Sequence, residues 1–514
     1  MIGKYWKQFK SGSDIRGIAS DNVKGEIINL TNDAIEKLTL GFAIWLAETS
    51  KLDFKAMTIS VGHDSRISAD RIKSIIINTL RSIGVNIYDC GLSSTPSMFM
   101  TISSLSCIGA IQITASHHPS NRNGLKFFTS DGGLNPENID RILEIAQDNK
   151  FPPVSKKGNV RAIKAIDYYC EKLRNLIKDG IKSKTNFDKP LSGYKIIVDA
   201  GNGAGGFFAN DVLAPLGANI EGSIFLEPDG NFPNHIPNPE NDIAMEFISK
   251  AVIDSNANLG IIFDTDVDRA AFVDSNGQVI NRNKLIALAS AIVLEKHPNS
   301  TIVTDSVTSD YLTEFIENMG GKQFRFKRGY RNVIQAAQNL NNSGVDCQLA
   351  IESSGHAALK ENGFLDDGAY LAAKIIVQMV NMKNKNKSLE GMLDNLVEAK
   401  EHLEIRIPIT DKKVLSYSNK IFSKLKLHVN TLKSCEIDNN NLEGVRIKFR
   451  ARWQEGWCLL RKSVHDPIIV INIESYVNNG LVGILKTLKP FLENFPGIDL
   501  SNLNEYINSH KINI

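Results

Sequence analysis

The sequence has no excess of charge of either sign, no long apolar run and few cysteines. Its 59 Lys and Arg residues nearly balance 57 Asp and Glu residues, for a net charge of +2, so any anion site must be local and no global field favours nucleic acid or a membrane. No apolar stretch reaches the length of a bilayer span. The N-terminus also lacks the apolar core of a signal peptide. The six cysteines show no C-x-x-C spacing, which argues against zinc or disulfides and leads us to expect a cytoplasmic protein.

At 514 residues the chain is too long for a single core, and three to four domains are expected. Three short apolar runs rich in β-branched residues each lead into a polar loop. The loops are residues 114–119 (TASHHP), 264–269 (DTDVDR) and 352–356 (ESSGH). Ligands of open α/β sheets sit beyond the carboxyl ends of the strands, so we predict a threefold repeat whose loops meet in one shared cleft.

Beyond about residue 400 the pattern changes to strand-like runs such as HLEIRIPI and PIIVINIES, which are typical of a smaller α+β unit. The predicted fold is therefore three related α/β domains with mixed sheets plus a smaller C-terminal α+β domain, around a central cleft. The predicted domains are 1–165, carrying the TASHHP loop; 166–282, carrying the DTDVDR loop; 283–400, carrying the ESSGH loop; and 401–514.

Asp264, Asp266 and Asp268 lie at positions i, i+2 and i+4 after the apolar run LGIIF. Carboxylates at this spacing can curl around one ion, and all-oxygen ligation suits Mg²⁺. An EF-hand is excluded because its sixth and twelfth positions hold Arg269 and Ser275 in place of glycine and glutamate. A solvated acidic turn is the alternative, which the apolar strand before the loop disfavours.

Residues 201–206 (GNGAGG) follow the strand-like run YKIIVDA and satisfy G-x-G-x-x-G, with Glu221 about twenty residues further on. This pattern makes a dinucleotide-dependent oxidoreductase a rival hypothesis. A Pro/Asn-rich loop soon follows the segment that should hold the second strand. We therefore favour a structural role, in which the glycines permit a tight turn and close packing.

Ser116 stands at the end of a buried strand, flanked by His117 and stopped by Pro119, as a displayed nucleophile would be. Two further loops offer complementary chemistry. Residues 352–356 suit sugar hydroxyls, and residues 461–467 (RKSVHDP) offer a guanidinium, a hydroxyl and an imidazole to a phosphate. The four loops together predict phosphoryl transfer on a phosphosugar, with His117 either a polar loop residue or a general acid/base.

The TASHHP, DTDVDR and ESSGH loops and the R-x-S loop, in this order, resemble the α-D-phosphohexomutase superfamily, in its phosphomannomutase/phosphoglucomutase branch, over nearly the whole chain. The resemblance implies that Ser116 is phosphorylated and completes the Mg²⁺ coordination by Asp264, Asp266 and Asp268. It implies that four residues contact the transferring phosphoryl group or transfer protons, namely Arg16, His117, Lys126 and Arg269. It assigns sugar contacts to Glu352 and Ser354, with His356 close by, and a specificity loop to Gly329, Tyr330 and Arg331. It assigns the non-transferring phosphate to Arg461, Ser463 and His465.

The implied activity is the interconversion of hexose 1-phosphate and hexose 6-phosphate (glucose and/or mannose) through phosphoserine and a hexose 1,6-bisphosphate. Glucose 1,6-bisphosphate would be the activator and Mg²⁺ the metal. Three alternatives remain open: a phosphoglucosamine mutase, a branch that usually has Gln where Ser353 stands; a metal-dependent sugar phosphatase; and a catalytically silent binding homologue. The last is kept open because Val464-His465 replaces the usual Asn-Thr or Gly-Thr. A phosphosugar is the expected partner, without nucleic acid or membrane, for a monomer or homodimer.

Overall fold

The computed structural model describes residues 2–150, 156–463 and 466–510. The chain divides into two compact units. The first unit contains residues 1–296 and 348–394, and the second contains residues 297–347 and 395–514. In the described part of the chain, every helix is too short or too polar to span a membrane.

The first third of the chain forms a mixed sheet flanked by helices. Its elements are α1 (Lys4–Lys7), β1 (Lys10–Ser11), β2 (Asp14–Ile18), α2 (Asn32–Ser50), β3 (Thr58–His63), α3 (Ala69–Ser82), β4 (Asn86–Leu92), α4 (Thr95–Ser104), β5 (Gly109–Ile113), β6 (Arg122–Thr129), β7 (Gly132–Gly133), α5 (Pro136–Asp148), β8 (Val160–Ala162) and α6 (Ala165–Ile181). The strand order is β1-β2-β6-β5-β3-β4-β8, with β7 beside β6. Strands β5, β3, β4 and β8 are parallel, whereas β1, β2, β6 and β7 are antiparallel. All five residues of β5 are buried, as its apolar composition predicts.

The second region of the first unit has a smaller mixed sheet. It consists of β9 (Ile196–Asp199), α7 (Asp242–Ser255), β10 (Leu259–Phe263), β11 (Ala270–Asp274), β12 (Val279–Ile280) and α8 (Arg282–Lys296). The strand order is β12-β11-β10-β9, where only β9 and β10 are parallel. Helix α7 starts at an Asn241 side-chain cap and packs Ile248 and Val252 into the core with Ile262.

The third region is divided between the two units. The second unit holds β13 (Thr301–Thr304), α9 (Asp310–Asn318), β14 (Lys322–Arg325) and α10 (Tyr330–Asn342), and β13 pairs with β14 in parallel. Next in the chain come β15 (Cys347–Ile351), β16 (Ala357–Leu359), β17 (Leu365–Asp366) and α11 (Gly368–Asn384), with β15, β16 and β17 antiparallel. Short 3-10 turns cover Phe54–Ala56, Ala214–Leu216, Lys360–Asn362 and Glu390–Leu393, and a π-helical turn covers Phe208–Leu213.

The C-terminal region is an antiparallel sheet with three helices. Its elements are β18 (Glu401–Pro408), α12 (Val414–Val429), β19 (Cys435–Ile437), β20 (Val445–Phe449), β21 (Gly456–Lys462), β22 (Ile468–Ser475), α13 (Gly480–Leu492) and α14 (Ser501–Ser509). The strand order is β18-β22-β21-β20-β19. This architecture confirms the predicted smaller α+β domain.

One strand pattern recurs three times and confirms the predicted relation between the α/β domains. Strands β5, β10 and β15 each turn back into an antiparallel partner, β6, β11 or β16, which then pairs with a short third strand. The three polar loops at 114–119, 264–269 and 352–356 are the turns of these hairpins. The domain boundaries at 165, 282 and 400 stay predictions.

Candidate active site

Ser116 lies directly beyond β5 and is only 3% exposed. Its backbone has a φ of 50°, in the left-handed region that residues with a side chain rarely adopt. The Ser116 hydroxyl lies 3.0 Å from Asp264 Oδ2, to which it donates, and it accepts a hydrogen bond of 3.0 Å from Arg269 Nη2. The serine is therefore aimed at the second loop and enclosed by charged groups.

Asp264, Asp266 and Asp268 lie in the turn between β10 and β11, and each is at most 2% exposed. Val267, between the last two, has a φ of 66°, which is strained for a β-branched residue and curls the loop. One carboxylate oxygen from each aspartate lies within 4.8 Å of the other two. The alternate spacing in the sequence thus becomes a convergent set of oxygen atoms.

Lys126 on β6 occupies the place of a cation between two of these carboxylates. Its Nζ donates to Asp266 Oδ2 at 2.7 Å and to Asp268 Oδ2 at 2.5 Å. The other oxygen of Asp266, Oδ1, is buried and makes no hydrogen bond with the residues that the structure describes. A buried, unpaired carboxylate oxygen beside an ammonium group shows that this donor set fits a hard divalent cation.

The electrostatics of the aspartates are set by burial and by each other. Burial raises the pKa of Asp264 well above its usual range, and the neighbouring carboxylates of Asp268 and Asp266 add to that rise despite Arg269. Burial would also raise the pKa of Asp268, but Lys126 and His356 hold it well below its usual range. Burial and the neighbouring carboxylates thus favour the neutral form of Asp264, whereas the adjacent Lys126 favours the charged form of Asp268.

Arg269 joins the serine to the carboxylates. It is 1% exposed, and its Nε and Nη2 both donate to Asp264 Oδ2, at 3.0 and 2.9 Å. Its Nη2 also lies 2.9 Å from His117 Nδ1. The charge of Arg269, together with burial, lowers the pKa of His117 far below its usual value, so the imidazole is neutral and accepts on Nδ1.

Arg16 on β2 lies at the edge of the Ser116 loop. Its Nη1 donates to the carbonyl oxygen of Ala115 at 3.2 Å, and its Nη2 donates to Asp14 Oδ2 at the same distance. Strand β2 pairs with β6 so that Arg16 lies opposite Gly124. A Cβ at Gly124 would lie 2.1 Å from the carbonyl oxygen of Ile15, so the two strands approach as closely as glycine allows.

The third loop reaches the carboxylates through His356. The Nε2 atom of His356 lies 3.5 Å from Asp268 Oδ1, and its Nδ1 lies 3.6 Å from Glu352 Oε2 and 3.0 Å from Ser354 Oγ. Burial lowers the pKa of His356 despite the nearby charge of Asp268. The first unit therefore brings together all the residues predicted from the three loops, with Lys126 and Arg16.

The remaining predicted residues lie in the second unit. Arg461 on β21 is 6% exposed, donates from Nε to Asn472 Oδ1 at 3.0 Å and lies 3.7 Å from Glu404 Oε2 through Nη2. The Ser463 hydroxyl accepts from the Asp466 amide at 3.2 Å. Gly329, with a φ of 120°, caps α10, which begins at Tyr330 and continues with Arg331. His465, with Val464, lies outside the described residues.

The GNGAGG segment packs against the carboxylate loop. A Cβ at Gly203 would lie 2.7 Å from the carbonyl oxygen of Thr265, and one at Gly206 would lie 2.3 Å from that of Leu226. The amide of Ala204 donates to the same Thr265 oxygen at 2.8 Å. These glycines serve close backbone packing, as the sequence analysis favours.

Two residues outside the predicted set, Thr95 and Asn238, make hydrogen bonds to the predicted site residues. The hydroxyl of Thr95, at the start of α4, donates to Asp266 Oδ2 at 2.5 Å, and its amide donates to the Asp266 carbonyl oxygen at 2.8 Å. Asn238 Oδ1 accepts from Arg269 Nη1 at 3.1 Å. The Ser-Ser-Thr-Pro sequence indicates a helix start, and Asn238 lies in a Pro-Asn-Pro loop. Neither signal identifies the aspartate or arginine partner.

Comparison with known proteins gives one consistent family. Three family models match, described as phosphoglucomutase/phosphomannomutase alpha/beta/alpha domains I, II and III, over residues 7–153, 167–277 and 281–399. A phosphomannomutase/phosphoglucomutase of Pseudomonas syringae pv. tomato is 28% identical over 466 residues, covering 90% of each chain. A phosphoglucomutase of Neisseria gonorrhoeae is 27% identical over 484 residues, 94% of this chain and 96% of its own. A phosphoglucomutase/phosphomannomutase family protein of Burkholderia thailandensis has a TM-score of 0.77 at 25% identity, covering 97% of this chain and 99% of its own.

Proposed function

The chain belongs to the phosphoglucomutase/phosphomannomutase family of the α-D-phosphohexomutase superfamily, and on this premise we propose that it interconverts hexose 1-phosphate and hexose 6-phosphate, with glucose and/or mannose as the sugar. The observation that carries the proposal is the position of the Ser116 hydroxyl, 3.0 Å from both Asp264 Oδ2 and Arg269 Nη2. A hydroxyl held between a carboxylate of a cation site and a guanidinium is suited to carry a phosphoryl group.

In the proposed cycle, Ser116 carries a phosphoryl group on Oγ. A free hydroxyl of the hexose monophosphate loses its proton and attacks the phosphorus, and the bond from phosphorus to Ser116 Oγ breaks. The hexose 1,6-bisphosphate formed turns over in the site, and Ser116 Oγ takes the other phosphoryl group, which restores the phosphoserine. Two transfers through a covalent intermediate avoid attack by water on a slowly reacting monoester. Glucose 1,6-bisphosphate would activate unphosphorylated enzyme by the same second step.

Charge compensation is assigned to the buried cations of the first unit. Mg²⁺ held by Asp264, Asp266 and Asp268 would offset negative charge on the phosphoryl oxygens. Arg269 already donates to Ser116 Oγ, so its guanidinium can follow the charge that develops there as the phosphoryl group leaves. Arg16 donates to the carbonyl oxygen of Ala115, the residue directly before Ser116, and is therefore assigned to the same phosphoryl group.

Proton movement is assigned to Lys126 and His117. Because His117 is neutral and accepts from Arg269 on Nδ1, its proton sits on Nε2, where it can donate to a phosphoryl oxygen. Lys126 is the side chain to which we assign acid/base exchange. In the ammonium form it protonates the departing oxygen, and as the amine it accepts the proton of the next attacking hydroxyl.

Substrate binding is assigned to two groups of residues. Glu352 and Ser354, with His356, would hold sugar hydroxyls in the first unit. In the second unit, Arg461, Ser463 and His465 would grip the phosphate that is not transferred, and Gly329, Tyr330 and Arg331 would contribute to sugar specificity. Guanidinium groups recognise phosphate through paired hydrogen bonds, which supports the assignment of Arg461.

We further propose a cytoplasmic monomer or homodimer whose only partner in the reaction is a phosphosugar, without nucleic acid or membrane. None of the six cysteines is in a disulfide, and five are buried, which supports a reducing compartment. The net charge of +2 gives no field for a polyanion.

The test is an assay with glucose 1-phosphate or mannose 1-phosphate, Mg²⁺ and a catalytic amount of glucose 1,6-bisphosphate, following the 6-phosphate product. Glucosamine 1-phosphate in a parallel arm tests the phosphoglucosamine alternative, and free phosphate is measured throughout. We expect isomerisation to exceed phosphate release and Ser116→Ala to abolish both the product and the protein-bound phosphate. Full activity in Ser116→Ala, or phosphate release without isomerisation, would contradict the proposed mutase.

A further inference from the structure

Arg66 is a buried cation that points at the back of the Ser116 loop. It lies between β3 and α3 and is 1% exposed. An arginine keeps its positive charge in a protein interior, so its N–H groups need acceptors there. In this structure the acceptors of both terminal nitrogens come from one short segment, residues 116–122.

The two terminal nitrogens of Arg66 make four hydrogen bonds, all to main-chain carbonyl oxygens. Nη1 donates to Pro119 at 2.7 Å and to Arg122 at 2.9 Å, and Nη2 donates to His118 at 2.7 Å and to Ser116. The remaining nitrogen, Nε, lies 3.3 Å from Asp64 Oδ2. Both terminal nitrogens of the guanidinium are thus bound to main-chain carbonyl groups of residues 116–122, whereas Nε contacts Asp64 only as an ion pair.

The loop needs such an anchor because of its conformation. Ser116 has a φ of 50°, which persists only where the surroundings enforce it. The bond from Arg66 to the Ser116 carbonyl oxygen fixes the peptide that follows Ser116. Thr114 Oγ1 fixes the peptide before it by accepting from the Ser116 amide at 2.9 Å. Both peptides beside the serine are held, and the direction of its side chain is set by them.

The anchor itself has little freedom to move. The ring of Phe232 covers the guanidinium, with its centroid 5.2 Å from Arg66 Cζ. Gly230 packs on the backbone behind it, since a Cβ there would lie 2.3 Å from the Ile67 amide nitrogen. Asp64 Oδ1 accepts from the Arg66 amide at 3.0 Å. The side chain of Arg66 is therefore held in one position by its surroundings.

We propose that Arg66 is the positioning residue that holds Ser116 in its reactive geometry, by binding four carbonyl groups of residues 116–122 at once. The consequence for catalysis rests on the proposed phosphoserine function. A lysine at this position has one tetrahedral nitrogen with three donors, and it cannot reproduce the planar four-bond fork. Displacing a reacting group by about 1 Å costs on the order of a hundredfold in rate.

The test compares Arg66→Lys with Arg71→Lys. Arg71 lies on α3 and also binds loop carbonyl oxygens, those of Ala19 at 2.8 Å and Leu30 at 3.2 Å, away from Ser116. Two quantities are measured: kcat and KM of the mutase assay, and hydrogen exchange of the amides in residues 114–123. For Arg66→Lys we expect kcat to fall about a hundredfold, KM to stay within about threefold and exchange of that segment to rise. For Arg71→Lys we expect none of these changes.

Unchanged exchange in residues 114–123 of Arg66→Lys, or equal losses of kcat in both variants, would overturn the proposal. If the wild-type protein makes no mutase product, the proposed function fails, while the exchange comparison still decides whether Arg66 holds the loop. If Arg66→Lys does not fold, Arg66→Gln is measured instead, because a side-chain amide cannot make the four bonds of the guanidinium fork and the substitution leaves Asp64 in place. A rise in exchange confined to residues 114–123 supports the proposal, and unchanged exchange refutes it.

Discussion

Replacing Thr95 with valine should weaken binding of a divalent cation without touching any proposed ligand. Thr95 and Lys126 both donate to Asp266 Oδ2, at 2.5 and 2.7 Å, which leaves Oδ1 of that carboxylate as the unpaired oxygen. Valine has nearly the shape of threonine and keeps the amide that donates to the Asp266 carbonyl oxygen. The substitution therefore removes one of the two side-chain hydrogen bonds that Asp266 Oδ2 accepts from Thr95 and Lys126.

The size of the effect follows from that single bond. A hydrogen bond to a charged group contributes about 1.5–3 kcal/mol, and loss of an outer partner of a metal ligand typically costs about 10–100-fold in metal affinity. A factor of ten corresponds to about 1.4 kcal/mol, so the two ranges agree. We expect the Mg²⁺ concentration for half-maximal activity to rise by about 10–100-fold in Thr95→Val.

The assay is a Mg²⁺ titration of mutase activity, with Mn²⁺ binding to the enzyme measured by calorimetry. Thr101→Val is the matched control, since Thr101 is a buried threonine of the same helix whose hydroxyl donates to the Met98 carbonyl oxygen at 2.7 Å and lies 2.5 Å from the Ser60 hydroxyl. Equal Mg²⁺ requirements in wild type and Thr95→Val would refute the reasoning. An equal increase in both variants would attribute the effect to general destabilisation of α4.

Three further predictions concern the glycine segment, the second unit and pH. Gly203→Ala should lower the free energy of unfolding by about 1–3 kcal/mol in a urea titration, because the added Cβ would lie 2.7 Å from the Thr265 carbonyl oxygen; unchanged stability would contradict this. Arg461→Met should raise KM about 10–100-fold with a smaller change in kcat, and a fall in kcat alone would argue against phosphate binding. Burial would raise the pKa of Asp310, but Arg446 and two neighbouring cations hold that pKa below its usual value. The ionised Asp310 side chain therefore contributes stability above pH about 4, and this contribution is lost as the pH falls through the lowered pKa. The urea midpoint of Asp310→Asn should accordingly lie below that of wild type at neutral pH and converge with it in acid, and a constant difference would contradict the assignment.

The three polar loops occupy the same position in three similar hairpins. Each loop follows a buried strand and precedes an antiparallel partner, so its polar residues emerge at the end of a rigid element. The loops at 264–269 and 352–356 are joined by a backbone bridge between Arg269 and His356. Sites on strand ends are held more accurately than sites on free loops, which suits the role proposed for Ser116.

The sequence was sufficient for the elements whose signal is local. Apolar runs followed by polar turns predicted the three strand ends, and the spacing of Asp264, Asp266 and Asp268 indicated carboxylates that converge. The change of pattern after residue 400 predicted the smaller C-terminal α+β domain. In each case neighbouring residues carry the information, because strand periodicity and metal-ligand spacing are short-range properties of the chain.

Other parts of the site have no such local signal. The groups that would bind phosphate in the second unit, including Arg461 and Ser463, were chosen from one short motif, and their role stays a prediction. Tyr330 and Gly329 form a helix start in the structure, which by itself carries no information about a sugar.

The sequence by itself determined which residues carry the proposed chemistry, namely the serine, the three aspartates and the sugar loop, because each set is contiguous. Only the tertiary structure decided what holds them. The Thr95 hydroxyl meets Asp266 across 171 positions of chain, and Arg66 meets the Ser116 carbonyl oxygen across 50. A hydrogen bond between distant segments leaves no periodic pattern in either one, since any loop with a donor of the right length could serve. Packing of the sheets and helices selects the donor, and it places the serine against the carboxylates.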